Sequence, residues 1–267
     1  MEISNVTKEY LARMLSKEKR FDGRGLLDFR ELEFIPNVSN KAEGSMRVKL
    51  GKTDVVVGVK LGTGEPYPDS PDEGTLMCTG ELLPLASSKF ESGPPGFKAI
   101  EVGRLVDRAI RESGMIDLSK LVITPGEKVW SVYVDIYPIN DDGNLIDAAN
   151  IAALLALKSA KMPSLDEKGN IDYSVKKGSL PLSKEILPIT ISFFKIGDSI
   201  FLDPTSEEEE ASEARITFGI SKWNKQYMVN SCQKIGEKPF TSEELEKMMD
   251  ILPVKFDELS EKLKKLV

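Results

Sequence analysis

Arg104, Arg108 and Arg111 recur at helical spacing in an acidic chain, and by type and pattern they are the residues best suited to hold a phosphodiester. At about 100° per residue they fall in a narrow stripe of a helix over 99–113, opposite Val102, Leu105, Val106, Ala109 and Ile110. A guanidinium donates two parallel hydrogen bonds from a planar fork and stays charged at any working pH, so such a row suits a backbone-phosphate track. The plainer reading is a solvated helix face, salt-bridged to Glu101, Asp107 and Glu112. Two carboxylate groupings could hold a hard cation or move a proton: Asp203 with the run Glu207 to Glu210, and Asp135 with Asp141 and Asp142. The first reads more simply as a solvated loop or helix start, the second as a strand end and a turn around Gly143.

Composition narrows the chemistry further. The chain has no histidine, which removes the commonest general base, the commonest metal ligand and every Ser/His or Cys/His nucleophile arrangement. Cys78 and Cys232 stand far apart and read as small core residues, with neither a disulfide framework nor a zinc site indicated. A net charge of −7 means that any positive surface for nucleic acid must be a local patch. No run approaches the roughly 18 apolar residues of a membrane span, and the opening Met1-Glu2-Ile3-Ser4 does not read as a signal peptide, so the chain is expected in the cytoplasm.

The elements that must position these residues can be read from periodicity. Asn5 to Lys19 carries Val6, Tyr10, Leu11, Met14 and Leu15 at helical spacing, and the polar run Arg20 to Gly25 then opens an extended arm. Ser45 to Leu50 and Asp54 to Leu61 read as strands joined by a hairpin at Gly51-Lys52-Thr53, with a third strand over Thr75 to Leu85. Trp130, Val132, Val134 and Ile136 alternate with polar neighbours as in a half-buried strand. Asp147 is placed as the N-cap of an Ala/Leu-rich buried helix over Ala148 to Ala160, and Ser164 to Ser179 reads as a polar loop. Strands then recur at Ile186 to Phe194, Ser199 to Leu202, Ala214 to Ser221 and Tyr227 to Gln233, before a helix opened by the capping box Thr241-x-x-Glu244. Strands followed by helices, twice, predict an α+β protein of two similar halves, with matching hairpins near Gly51 and Gly197. The boundaries expected are an N-terminal helix and arm over 1–25, a first half over 26–180, and a second half with C-terminal helices over 181–267.

Arg20-Phe21-Asp22-Gly23-Arg24, then Gly44-Ser45 with Gly51-Lys52-Thr53-Asp54-Val55, then Glu101 to Arg108 resemble, in order, the N-terminal signatures of the RNase PH family. The likeness runs from about Arg20 to Leu252 and is most similar to the non-catalytic ring subunit of the archaeal exosome. The resemblance implies two halves of β-sheet packed with helices, of the kind called ribosomal protein S5 domain 2-like. Active members degrade RNA from the 3′ end, inorganic phosphate attacking the terminal phosphodiester with a metal ion assisting. Such chemistry needs cations to hold the phosphate and carboxylates to hold a metal or move a proton.

Both requirements can be tested by motif. Where active members carry a pattern like D-G-G-T-R-T-A, this chain reads Asp142-Gly143-Asn144-Leu145-Ile146-Asp147-Ala148, with Ile146 at the arginine position and Asp147 beside it to repel an anion. Where they show a pattern like D-L-D-Y-x-E-D-S, it reads Asp203-Pro204-Thr205-Ser206 followed by four glutamates, with Arg215 where a later aspartate falls. Thr205 in place of the second aspartate leaves no carboxylate pair for a hard cation.

The resemblance therefore implies a chain with no catalytic or metal-binding residue of its own, and with no cofactor beyond the magnesium and inorganic phosphate expected in its partner's active site. Arg104, Arg108 and Arg111 are its candidate RNA-binding residues. Its implied partners are RNA, a homologous catalytic RNase PH-like subunit in a hexameric ring built as a trimer of heterodimers, and cap subunits of S1 or KH type, with no membrane. The acidic loop Glu65 to Glu73 implies that the pore constriction is left to the partner. The alternatives are a self-sufficient phosphorolytic exoribonuclease using Asp203 and the glutamate run, and a free-standing RNA-binding module. Under the enzyme reading Asp203→Asn abolishes activity; under the non-catalytic reading it leaves the activity of the complex nearly intact. Changing Arg108 and Arg111 to glutamate is expected to weaken RNA capture and flatten its salt dependence.

Overall fold

The computed structural model describes residues 3–167 and 169–264. Ten elements occupy the first 160 residues: α1 (Asn5–Leu15), β1 (Leu32–Pro36), β2 (Gly44–Leu50), β3 (Thr53–Gly64), β4 (Thr75–Gly80), α2 (Phe97–Ser113), a short 3-10 turn (Leu118–Leu121), β5 (Val122–Thr124), β6 (Lys128–Asn140) and α3 (Leu145–Ser159). All but α1, whose Leu11 and Leu15 cluster instead with Phe194, Phe201 and Ala211 of the second half, build the first layer pair. Their sheet runs β1-β2-β3-β6-β4, antiparallel except for β4, which lies parallel to β6. A hairpin of β7 (Lys161–Leu165) and β8 (Ile171–Ser179) follows. The second layer pair is β9 (Ile189–Ile196), β10 (Ser199–Leu202), α4 (Ser206–Ala211), β11 (Ala214–Trp223), β12 (Gln226–Gly236) and α5 (Ser242–Lys264), its sheet ordered β10-β9-β11-β12 and wholly antiparallel.

The core explains why these segments choose these elements. Along β2, β3 and β6 buried residues such as Val48, Val55, Val57, Val132 and Val134 alternate with more accessible ones, so one face of the first sheet is apolar. That face is covered by α3, buried from Leu145 to Leu157, which touches β2 and β3 on one side and β9 of the second sheet on the other. A helix apolar all round belongs between two layers. One continuous cluster of buried side chains therefore joins both halves, from Met46 through the α3 alanines and leucines to Phe218 and Leu259. The β2–β3 and β9–β10 hairpins both turn through a glycine at positive φ, Gly51 at 58° and Gly197 at 59°, as the matching turns predicted. Among the described residues no helix is long and apolar enough to cross a membrane.

Three local expectations are corrected. The strand begun at Thr75 stops at Gly80 and does not reach Leu85, because the chain turns there over α2; a Cβ on Gly80 would meet the Ala99 carbonyl at 2.8 Å. Ser164 to Ser179 is mostly a β-hairpin, its alternation hidden because β8 faces solvent from Tyr173 onward and only Ile171 at its start packs against the core. Asp147 is not an N-cap: Asn144, in the left-handed region at φ 54°, precedes the helix, and Asp147 lies within its first turn, fully buried. Thr241 and Glu244 do form the reciprocal capping box, each backbone N–H donating to the other's side chain at 2.8 and 3.2 Å.

Candidate nucleic-acid interface and the closed cleft beside it

The helix carrying the arginine stripe is pressed unusually close to its strand. A Cβ on Gly103 would lie 2.7 Å from the Cys78 carbonyl, so only glycine lets α2 approach β4 this closely. Ala99, Val102, Leu105, Val106, Ala109 and Ile110 fill the buried face, which fixes the opposite face outward. Arg104 and Arg108 stand one helical turn apart on that outer face, exposed, and make no hydrogen bond or ion pair among the described residues. Arg111 differs. Asp107 holds it with bonds of 2.8 and 3.1 Å, and it donates a third, of 2.7 Å, to the Leu76 carbonyl. Of the three salt-bridging acids proposed for a solvated face, Asp107 alone serves the stripe; Glu101 is buried and pairs with Arg215.

A cleft of about 440 Å³ opens beside the start of α2, lined among others by Lys89, Lys98, Glu101, Asp141, Glu209 and Arg215. Every cation in it is already engaged. Lys98 donates to Asp141 at 2.9 Å and lies 3.6 Å from Glu209, Lys89 pairs with Glu210, and Arg215 pairs with Glu101. Burial lowers the pKa of Lys98, but Glu209 and Asp141 outweigh it and leave the ammonium held above its ordinary value. An incoming phosphate would have to displace a carboxylate from each cation and would face the displaced charges. The remaining carboxylates do not gather either: Asp135 accepts from Thr79 at 2.8 Å, while Asp142 faces Arg30. Among the described residues no group of three carboxylate or cysteine side chains is arranged to hold a metal ion.

Asp203 sits at the centre of a different arrangement. It is fully buried, at φ 46°, and its carboxylate accepts from the Arg30 backbone N–H at 2.7 Å, from the Arg30 guanidinium at 2.8 and 3.0 Å, from Arg24 at 3.0 Å and from Asn144 at 3.0 Å. Two guanidiniums and five donors saturate it, so neither a lone pair nor uncompensated charge is left for a metal. Five residues on, Glu208 is buried against the buried Arg20, whose Nε donates at 2.9 Å. Arg20 and Arg24 belong to the motif Arg20-Phe21-Asp22-Gly23-Arg24, and they bind the chain's first motif to its last. Sequence reading placed both motifs and missed that they are partners; the balance of two arginines against two acids was the available signal.

Of the two plain readings of the glutamate run, the helix start holds and the solvated loop does not. The run forms α4, capped by Thr205, whose backbone N–H donates to Glu208 at 2.8 Å in a second capping box. Thr205 thus has a structural task where a metal ligand was sought. Gly143, at φ 86°, packs against the Pro204 carbonyl, where a Cβ would come within 2.6 Å. Ile146 is buried, and Asp147 faces the interior, accepting from Ser192 N and Oγ at 3.1 and 2.9 Å. Burial pushes the Asp147 carboxyl up to about 7 against those hydrogen bonds, so it does not act on the cleft as a repelling surface charge. Of the two cysteines, Cys78 is half-buried against the main core as expected, whereas Cys232 is exposed on β12 and is not a core residue.

Two antiparallel-based sheets clasping a buried helix define an RNase PH-type fold, and the cations lining its cleft are held by the chain's own carboxylates. The chain belongs to the 3′ exoribonuclease (RNase PH) family: the family's domain 1 matches residues 28–163 and its domain 2 matches residues 187–251. It is 45% identical over 249 residues to the exosome complex component Rrp42 of Methanosarcina mazei, covering 93% of this chain and 90% of that protein. The Rrp42 component of Thermococcus onnurineus is 42% identical over 98% of this chain and 95% of its own length. Among solved structures, a chain of the Archaeoglobus fulgidus exosome with RNA bound to the active site superposes with a TM-score of 0.86 at 42% identity, over 97% of this chain and 98% of that one. Rice Rrp46, at 18% identity and a TM-score of 0.65 over 92% of this chain and 98% of its own, shares the fold.

Proposed function

We propose that this chain is the non-catalytic, RNA-gripping ring subunit of an archaeal-type exosome, a 3′-to-5′ phosphorolytic exoribonuclease complex, and that Arg104 and Arg108 hold the ribose-phosphate strand. The observation that carries this reading is the contrast in charge engagement: each cation of the cleft and both guanidiniums at Asp203 are bound internally, whereas Arg104 and Arg108 are exposed and unpaired among the described residues. Arg111, tied to Asp107, acts mainly by shaping the stripe. The likeness to Rrp42 components along nearly the whole chain supports the assembly reading. The catalytic work, with its magnesium and inorganic phosphate, falls to a homologous RNase PH-like partner alternating with this chain in a six-membered ring, with S1- or KH-type cap subunits above it in the cytoplasm. The same proposal keeps the division into an arm over 1–25 and halves over 26–180 and 181–267.

Phosphorolysis of a 3′-tailed RNA, assayed with this chain alone, the partner alone and both together, tests the reading. Nucleoside diphosphate release is expected only when the partner is present, and most with both. Release by the highly purified chain alone favours the self-sufficient enzyme. RNA binding without any association with the partner on size exclusion favours the free-standing module.

A further inference from the structure

We infer that Phe97 is a stacking platform for an RNA base, placed so that a strand whose phosphates follow Arg104 and Arg108 lays a base on its ring. This deepens the function proposed above and rests on it. Phe97, Ile100, Arg104 and Arg108 succeed one another at steps of three and four residues, so they share the outer face of α2. Phe97 is 70% exposed and Ile100 51%, on a helix whose inward face is already filled. Two turns, about 10 Å of axis, separate Phe97 from Arg104. Long side chains on a helix lean toward its N-terminus, which shortens the span left between the Arg104 guanidinium and the ring. Local structure holds that ring out: Gly96 is extended at the N-cap, Lys98 turns to Asp141 at 2.9 Å, and Ala99 is buried.

Phe97 has the most exposed ring among the described residues, and none of them stacks on it or sets a cation over it. Tyr67 and Trp223 are exposed rings without such a partner too, but neither lies on an element that carries an unpaired arginine, and Tyr67 is set among Glu65, Asp69, Asp72 and Glu73. Phe97 also lines a groove of about 480 Å³ walled by Leu83, Phe90, Pro94 and Pro95. That groove does not suit phosphate: its lysines, Lys89 and Lys98, hold Glu210 and Asp141, while Glu81 and Glu91 add negative charge. Apolar walls with an acidic rim admit an uncharged base and repel its backbone, which leaves the phosphates to the two arginines. An aromatic face beside a cationic track is the arrangement that binds single strands whatever their sequence, because every base has a π-face. The occupant is therefore a nucleobase, of any identity.

The test compares a labelled oligouridylate with an abasic ribose-phosphate chain of the same length, each bound to the full chain across a salt series. The unmodified chain should bind the oligouridylate about fivefold or more tightly than the abasic strand. Phe97→Leu, which keeps an apolar side chain without a ring, should abolish most of that preference while leaving abasic affinity and the salt slope unchanged; Phe97→Tyr should retain the preference. Arg104→Glu/Arg108→Glu should weaken binding of both strands and flatten the slope. If Phe97→Leu keeps the full preference while the arginine variant loses binding, the platform is overturned and the RNA-gripping function stands. If both variants match the unmodified chain on both strands, both claims fall. Equal weakening of both strands by Phe97→Leu overturns stacking, since the loss would not depend on the base. Loss of association with the partner on size exclusion, with base preference intact, also overturns it, because the ring would then serve a subunit contact.

Discussion

The outer face of α2 and the buried crossing at Asp203 both carry residues that look functional in the sequence, and they differ in what surrounds the charge. At Asp203 and Glu208, arginines from the N-terminal arm reach across the fold and neutralise each acid, so residues suited to chemistry have become joints between elements distant in sequence. On α2, Gly103 and a filled apolar face press the helix onto the sheet and leave Arg104 and Arg108 exposed, without a partner among the described residues. Reactive residue types persist in both places. Availability, set by partners and burial, is what separates a binding surface from a structural knot.

The largest expected effect breaks the buried side. Asp203→Asn removes the buried carboxylate shared by the buried Arg30 and the half-buried Arg24, leaving them only Asp142 and Asp22, and should cost ~3–5 kcal/mol of stability, read from urea unfolding. The expectation that the substitution leaves the activity of the complex nearly intact applies to the folded fraction, so activity in that variant must be read together with that fraction. Asp147 gives a pH signature of the same interior. Its folded pKa of about 7 lies above the ordinary value of 3.8, so the unfolded chain releases its proton first as pH rises. Stability from this group is complete below about pH 4, falls on the order of a few kcal/mol between pH 4 and 7, and is flat above. Asp147→Asn should flatten that dependence in thermal melts at pH 5 and pH 8. On the exposed side, Arg104→Glu/Arg108→Glu should weaken RNA binding about tenfold or more with melting temperature unchanged, because neither residue has a partner among the described residues. The smallest effect sharpens the role of Thr205: Thr205→Ala removes a helix cap and should cost about 1 kcal/mol, with no change in magnesium response.

Much of this contrast was legible before the fold was known, and where it was not the reason is physical. The α2 stripe, the β2–β3 hairpin and the α3 helix followed from periodicity, because each has a face or turn that the core selects. The β8 strand carried no such signal, since solvent on nearly all its side chains imposes no alternation. Ile146 and Thr205 were legible as losses from a motif, but the substitute arrangements were not. The pairings of Arg20 with Glu208 and Arg30 with Asp203 span 188 and 173 residues, and no local pattern encodes contacts at that separation. The same blindness made the glutamate run look solvated, whereas Lys89, Lys98 and Arg20 each claim one of its members.

The decisive measurement is phosphorolysis by the complex reconstituted with the partner, comparing Arg104→Glu/Arg108→Glu with Lys98→Gln. Activity should fall about tenfold or more in the arginine variant, from weakened RNA capture, and stay within about twofold for Lys98→Gln, whose cation is already occupied by Asp141 and Glu209. The reverse pattern, with Lys98 needed and the two arginines dispensable, would show that the cleft of this chain is open for chemistry and would contradict the assignment.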